Sequence, residues 1–171
     1  SGTILYNNVT SPDGKQNAYK FESSGPSGAF VRTANVSFAT TSSFSMFLKY
    51  GNNQWYQIIN SGVVGNFVNV DIQNGVFGTS GSATSSLAIK DYGNGWYRIS
   101  GVFTTLGAVG TFRVYSGSSS NANWAAQTSI IGSFNYGFGF QVEPLSYATS
   151  YIPTNGSAVT RNKDIVNNAG T

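Results

Sequence analysis

Apolar residues in this chain recur at every second position over short stretches, and each stretch closes in a cluster of Gly, Asn, Ser or Asp. In an extended strand successive side chains point to opposite faces, so this alternation turns one face of each stretch toward a core. The pattern predicts strands at residues 3–7, 18–23, 30–40, 43–50, 55–60, 67–73, 76–79, 86–91, 96–105, 110–116 and 134–143. No stretch of ten residues carries the apolar period of an amphipathic helix. Many short strands joined by turns predict an all-β fold, with two antiparallel sheets packed as a sandwich. A length of 171 residues suits one such domain, spanning 1–171.

The breaks between stretches carry turn chemistry. Ser11-Pro12-Asp13-Gly14 combines a fixed φ at Pro with a Gly that accepts positive φ, which predicts a tight turn between the first two strands. Asn74-Gly75 stands between the alternating runs of Val68, Val70 and Ile72 and of Val76, the sequence pattern of a hairpin. Gly93-Asn94-Gly95 separates Leu87 and Ile89 from Trp96 and Tyr97 in the same way. Residues 116–123 form a polar run ahead of Trp124, a loop long enough to suggest function.

Composition then excludes several classes of function. Charged residues are 9% of the chain against a usual ~25%, so the surface is neutral and rich in hydroxyls and amides. The nine basic residues stand singly, with no stripe to follow a phosphate backbone, and nucleic acid is not an expected partner. No apolar run approaches the roughly 20 residues that cross a bilayer, so membrane insertion is not expected either. With no Cys and no His, disulfides, thiolate chemistry, His-based nucleophilic triads and the usual zinc sites have no residues to build them.

Four stretches carry a resemblance. SPDGKQNAYKF at 11–21, TSSFSMFLKYGNNQWY at 41–56, GNGWYRISGVFTT at 93–105 and FGFQVEPLSYATSYIPTNGSAVTRNKD at 138–164 together resemble the jelly-roll, concanavalin-like carbohydrate-binding domains of phage tail fibres, tail spikes and some polysaccharide-degrading enzymes. The resemblance implies a jelly-roll sandwich with an extended C-terminal tail, 144–171, bearing SYIPT and AVTR. It implies a place on a virion tail or in a secreted protein, beside other domains of a larger tail or enzyme chain, with homotrimers a further expectation. The implied ligand is a polysaccharide or cell-surface glycan. Between residues 116 and 133 the resemblance fades, so contacts there are not implied by it.

The carboxylates do not suggest an enzyme. A glycosidase needs two facing one bond, and the candidates are Asp13, Glu22, Asp71, Asp91, Glu143 and Asp164. Asp13 and Asp91 fall in turns, where Asx hydrogen bonding accounts for them, and Glu143 suits a structural hydrogen bond at the end of the final strand. No catalytic residue is therefore expected. No cofactor is expected with certainty. Hard oxygen ligands make a structural calcium ion at Asp13, Asp91 or backbone carbonyls a candidate, although no ligand-spaced acidic loop marks a site.

Strand parity names the candidate binding residues. Phe44, Met46 and Leu48 share a core face, which leaves Ser45, Phe47 and Lys49 outside. Phe112 and Val114 oppose Arg113 and Tyr115; Tyr56 and Ile58 oppose Trp55, Gln57 and Ile59. In the last strand Phe138, Phe140 and Val142 are expected inside, with Gln141 and Glu143 outside. If these strands share one concave sheet, Trp55, Gln57, Lys49, Arg113, Tyr115 and Gln141 form a carbohydrate-binding surface, and Trp124 forms its rim. The aromatic rings would stack on pyranose faces and the polar groups would bond hydroxyls, uronates or sulfates. Trp96 and Tyr97 are expected to serve the fold, and Arg161 to anchor the tail. An alternative is a structural or trimerising fibre domain, in which the same outward aromatics and Phe47 are buried between subunits.

Overall fold

The protein is described by a computed structural model at residues 2–25, 29–33, 35–116, 119–125 and 130–154, and these residues contain strands and turns but no helix. In chain order the strands are β1 (Gly2–Val9), β2 (Ala18–Ser23), β3 (Ala29–Arg32), β4 (Val36–Ser37), β5 (Thr41–Lys49), β6 (Trp55–Asn60) and β7 (Phe67–Asp71). They continue with β8 (Val76–Ser80), β9 (Thr84–Asp91), β10 (Trp96–Thr104), β11 (Val109–Gly110), β12 (Phe112–Ser116) and β13 (Phe134–Glu143). Six form one sheet in the order β1-β2-β13-β5-β10-β9, and five form another in the order β3-β12-β6-β7-β8. All neighbours pair antiparallel.

The alternation seen in the sequence places the core between these sheets. Phe21, Phe44, Met46, Leu48, Ile99 and Phe103 enter it from the six-stranded sheet, and Tyr56, Ile58, Val68, Val70, Phe112 and Val114 enter it from the other. Phe112 meets Phe44 and Phe103 across the layers, with ring centroids 5.9 and 6.4 Å apart. Complete burial of a side chain of this size is worth about 1.5–3 kcal/mol, so this cluster dominates the stability. Burial also holds the Tyr56 phenol well above its usual range, although the side chains of Asn53 and Asn135 act in the opposite direction.

Two expected strands are each broken in two. The stretch 30–40 divides into β3 and β4, and 110–116 divides into β11 and β12, with β4 and β11 pairing as a separate ribbon. The cause lies at Thr111, whose amide is taken by the Ser61 hydroxyl at 2.9 Å while its carbonyl accepts from Ser61 N. The Thr111 amide thus bonds a side chain in place of the next backbone carbonyl after β6, and on the β3 side Phe112 N likewise donates to a hydroxyl, that of Thr33, at 3.0 Å. The hairpin at Asn74-Gly75 forms, but its connection spans residues 72–75 because Asp71 caps it. One Asp71 carboxylate oxygen accepts from the amides of Gln73 and Asn74, both at 3.0 Å.

The six-stranded sheet also has a second buried layer on its outer face. Here Ala18, Phe47, Trp96 and Phe138 are buried, with Val9, Tyr136 and Tyr151 packed on them. Phe138 was expected in the main core. A bulge moves it outward: Phe138 stands opposite Phe47, yet Gln141 stands opposite Ser45, so three steps on β13 match two on β5. Gly139 makes the bulge at φ +62°, and a Cβ there would lie 3.1 Å from the Tyr151 ring. Phe140 consequently points into the core against Phe21, while Gln141 faces out.

Residues 144–154 lie across this outer layer. Tyr151 stacks edge-on against Phe138 at 5.0 Å, and Tyr92 does the same to Phe47, also at 5.0 Å. Phe47, expected as a mark of a subunit interface, is thus covered by its own chain. The tail is held by Arg98, which donates to the Thr149 carbonyl and, at 3.1 Å, to the Ser45 hydroxyl. Glu143 accepts from the Thr149 amide and hydroxyl at 3.0 and 2.6 Å. The anchor is therefore Arg98 within the described residues; Arg161, Asp164 and the AVTR segment lie outside them.

Candidate functional site

Register places the predicted binding residues on two different sheets. Lys49 ends β5 and Gln141 lies on β13, both in the six-stranded sheet, whereas Trp55, Gln57, Arg113 and Tyr115 stand on β6 and β12 of the other. One shared surface of all these residues does not form. The reason is topological: β5 and β6 are consecutive in sequence, but the chain crosses from one layer to the other between them.

Gln141 is occupied by the tail. Its Oε1 accepts from Ile152 N at 3.0 Å and its Nε2 donates to the Thr149 hydroxyl at 3.2 Å, so it is a structural anchor rather than an open contact. Lys49 donates to the Asn94 carbonyl at 2.7 Å, at the end of the sheet nearest the β9–β10 turn.

The outer face of the five-stranded sheet does collect the rest. Across β12, β6 and β7, Tyr115 lies opposite Gln57 and Gln57 opposite Asn69, while Arg113 lies opposite Ile59 in the next row. Trp55 stands two residues from Gln57 on the same face. Parity therefore points these residues as expected. What parity does not reveal is the loop after β12, which folds back over this face.

Gln57, fully buried, is the post on which that loop is hung. Its Nε2 donates to Asn69 Oδ1 and to the Asn123 carbonyl, both at 2.9 Å, and its Oε1 accepts from Ala125 N at 2.8 Å. Asn69 Nδ2 donates to the Ala122 carbonyl at 2.7 Å. These bonds grip the backbone immediately before and after Trp124, and Ala125 takes a positive φ of 56° beside it. Gln57 is thus a positioning residue and not a ligand contact.

The result is a face where half-buried Trp55, Tyr115 and Trp124 surround a polar post, with Arg113 alongside. Arg113 Nη1 donates to the Tyr115 hydroxyl at 2.9 Å, which orients both groups. The Trp124 indole N–H is shielded from solvent and meets no acceptor among the described residues.

The described carboxylates all have local partners. Asp13 accepts from Ser11 Oγ at 2.6 Å, Lys15 N at 2.9 Å and Asn17 Nδ2 at 3.0 Å. Desolvation raises its pKa, but those bonds, with the nearby Lys15 charge, outweigh it and hold the carboxyl below its usual range. Asp71 behaves alike: burial opposes ionisation, and bonds from Asn74, Gln54 and Gln73 more than offset it. Asp91 accepts from Gly93 N at 2.7 Å, and Glu22 pairs with Lys20 at 2.7 Å. No group of three His, Cys, Asp or Glu residues among the described ones is arranged to hold a metal ion.

Asn69 and Arg98 were not singled out from sequence. Asn69 could have been found as a polar residue in the apolar run 67–72, since a strand buried on both faces needs a partner for any amide it carries. Comparison with known proteins returns no matching family model and no matching curated protein.

Proposed function

We propose that the protein is a non-catalytic carbohydrate-binding module that attaches a larger extracellular or virion protein to a surface glycan, in the manner of the jelly-roll domains its motifs resemble. The observation that carries this reading is the outer face of the five-stranded sheet, where Trp55, Tyr115 and Trp124 stand half-buried around Gln57 with the Arg113 guanidinium beside them. Sugars offer an apolar C–H face ringed by hydroxyls, and they are bound by aromatic platforms with a few oriented polar groups. Arg113, oriented by its bond to the Tyr115 hydroxyl, supplies such a group. The turn and tail partners of the described carboxylates fit a binding role better than acid–base chemistry, which needs two of them poised at one bond.

A glycan array tests the reading. Binding of the wild type should be lost on Trp55→Ala or Tyr115→Ala while the circular dichroism spectrum and melting temperature stay near native. Binding unchanged by both substitutions would refute this site, and release of reducing ends from polysaccharides, abolished by Glu143→Gln, would overturn the non-catalytic reading.

A second reading, a structural or trimerising fibre domain, is favoured by β1. This edge strand exposes Ile4, Leu5 and Tyr6 at 37%, 43% and 70%, an unusual amount of apolar surface for an unpaired edge. A trimer in light scattering that ignores every glycan and dissociates on Tyr6→Lys would support it over the first.

A further inference from the structure

The β1–β2 turn and the β9–β10 turn face each other across a cleft of about 420 Å³ at one end of the six-stranded sheet. It lies apart from the aromatic face just described, on the other layer of the sandwich. Thr10 and Pro12 form one wall, Tyr92 and Asn94 the other; Trp96 and Lys49 also line it. The volume suits one or two sugar rings, at the small end of the range for ligand pockets.

The walls are held in place before any ligand arrives. The Trp96 indole, 3% exposed, donates from Nε1 to the Thr10 carbonyl at 3.1 Å and so ties the two turns together. Each turn is closed by its own backbone: Ser11 N donates to Lys15 O at 2.9 Å, and Tyr92 N to Trp96 O at 2.8 Å. Gly93, Asn94 and Gly95 take successive positive φ of 79°, 53° and 76°, a conformation suited to this Gly-Asn-Gly sequence. Tyr92 is 45% exposed, yet its ring is fixed by the edge-on contact with Phe47 and by Lys90 Nζ at 5.3 Å from its centroid. A preorganised, half-exposed aromatic ring lining a cleft is the kind of platform on which a pyranose stacks.

The charge within the cleft selects among sugars. Lys49 Nζ has three donors, and its bond to Asn94 O uses one. No carboxylate lies within ion-pair distance of it among the described residues. The flanking acids, Asp13 and Asp91, are turned to their own turns and do not line the cleft. The remaining Lys49 donors are thus set for an anionic oxygen, in a chain of net charge +3. We infer that this cleft is a second saccharide site, specific for an acidic sugar end group such as a uronate or sialate, with Tyr92 as the stacking platform and Lys49 as the carboxylate contact. The inference rests on the glycan-binding reading and extends it to a different surface and a narrower ligand class.

The test is a titration followed by amide and indole NMR signals, with glucuronate, galacturonate and N-acetylneuraminate as probes and glucose and galactose as neutral controls. The acidic sugars should shift the Gly93, Gly95 and Trp96 Nε1 signals. Lys49→Gln should raise the dissociation constant tenfold or more, Tyr92→Ala should do likewise, and Lys49→Arg should restore most of the binding. Shifts confined to the neighbourhood of Trp55 and Tyr115, or equal cleft shifts from the neutral sugars, would overturn the cleft assignment and leave the glycan-binding reading standing. If no sugar moves a signal on either face, both fall together.

Discussion

Replacing Gln57 by Leu keeps the approximate bulk of the side chain and removes its three hydrogen bonds on the outer face, leaving the loop after β12 held by Asn69 Nδ2 on the Ala122 carbonyl and Thr79 N on the Ser120 carbonyl. The Asn123 carbonyl and the Ala125 amide lose a partner at 2.9 and 2.8 Å, and Asn69 Oδ1 loses a donor at 2.9 Å. A polar group left buried without its partner costs about 1–3 kcal/mol. Counting the two backbone groups gives about 2–6 kcal/mol, and the loop can escape the upper part by lifting into water. A destabilisation of about 2–4 kcal/mol is therefore expected, with a melting temperature lower by roughly 5–15 °C for a chain of this size. Urea unfolding measures the first quantity, and hydrogen exchange at Ala125 reports whether the loop has lifted. The glycan affinity proposed above should fall in step, because Trp124 loses much of the backbone grip that positions it. Gln57→Glu is the sharper control, since it keeps the shape and an acceptor for Ala125 but loses the donors and buries a charge. If Gln57→Leu leaves the urea midpoint and the Ala125 exchange rate unchanged, the loop is not held by this side chain and the reasoning fails.

Other perturbations test other links. Gly139→Ala forces a side chain into the left-handed region at φ +62° and against Tyr151, and should lower stability by about 1–2 kcal/mol in urea titration. Arg98→Ala removes the donor to Thr149, so limited proteolysis should cut within residues 144–154 sooner than in the wild type, while the core signals of Phe44 and Phe112 stay in place. Because Asp71 has its pKa lowered in the fold, its contribution to stability is complete above the unfolded value near 3.8 and is lost as pH falls through the folded value. Acid titration of Asp71→Asn should accordingly show a shallower loss of stability below pH 3.8 than the wild type.

How far the sequence can be read follows from the range of the interaction that decides each feature. Strands β2, β6 and β13 begin and end where alternation and turn residues place them, because both signals are local to the strand. The inward direction of Phe44, Met46 and Leu48 follows from the same period, as does the outward direction of Arg113 and Tyr115. Phe138 breaks the rule because one inserted residue at Gly139 reverses the face of everything after it, and a glycine among several glycines does not announce which one is the bulge. The split at Thr111 is decided by Ser61, 50 residues away, which no local pattern contains.

The candidate site divides along the same line. Sequence by itself determined that this chain forms short alternating strands, that Trp55, Gln57, Arg113 and Tyr115 turn away from the core, and that His and Cys chemistry is absent from it. Only the tertiary structure decided that Lys49 and Gln141 belong to the other sheet, that Gln57 holds a loop instead of a ligand, and that Phe47 lies beneath the chain's own covering. Strand pairing and loop closure bring together residues far apart in the chain, and which of two outward faces is covered depends on those long-range partners rather than on the period of any one strand.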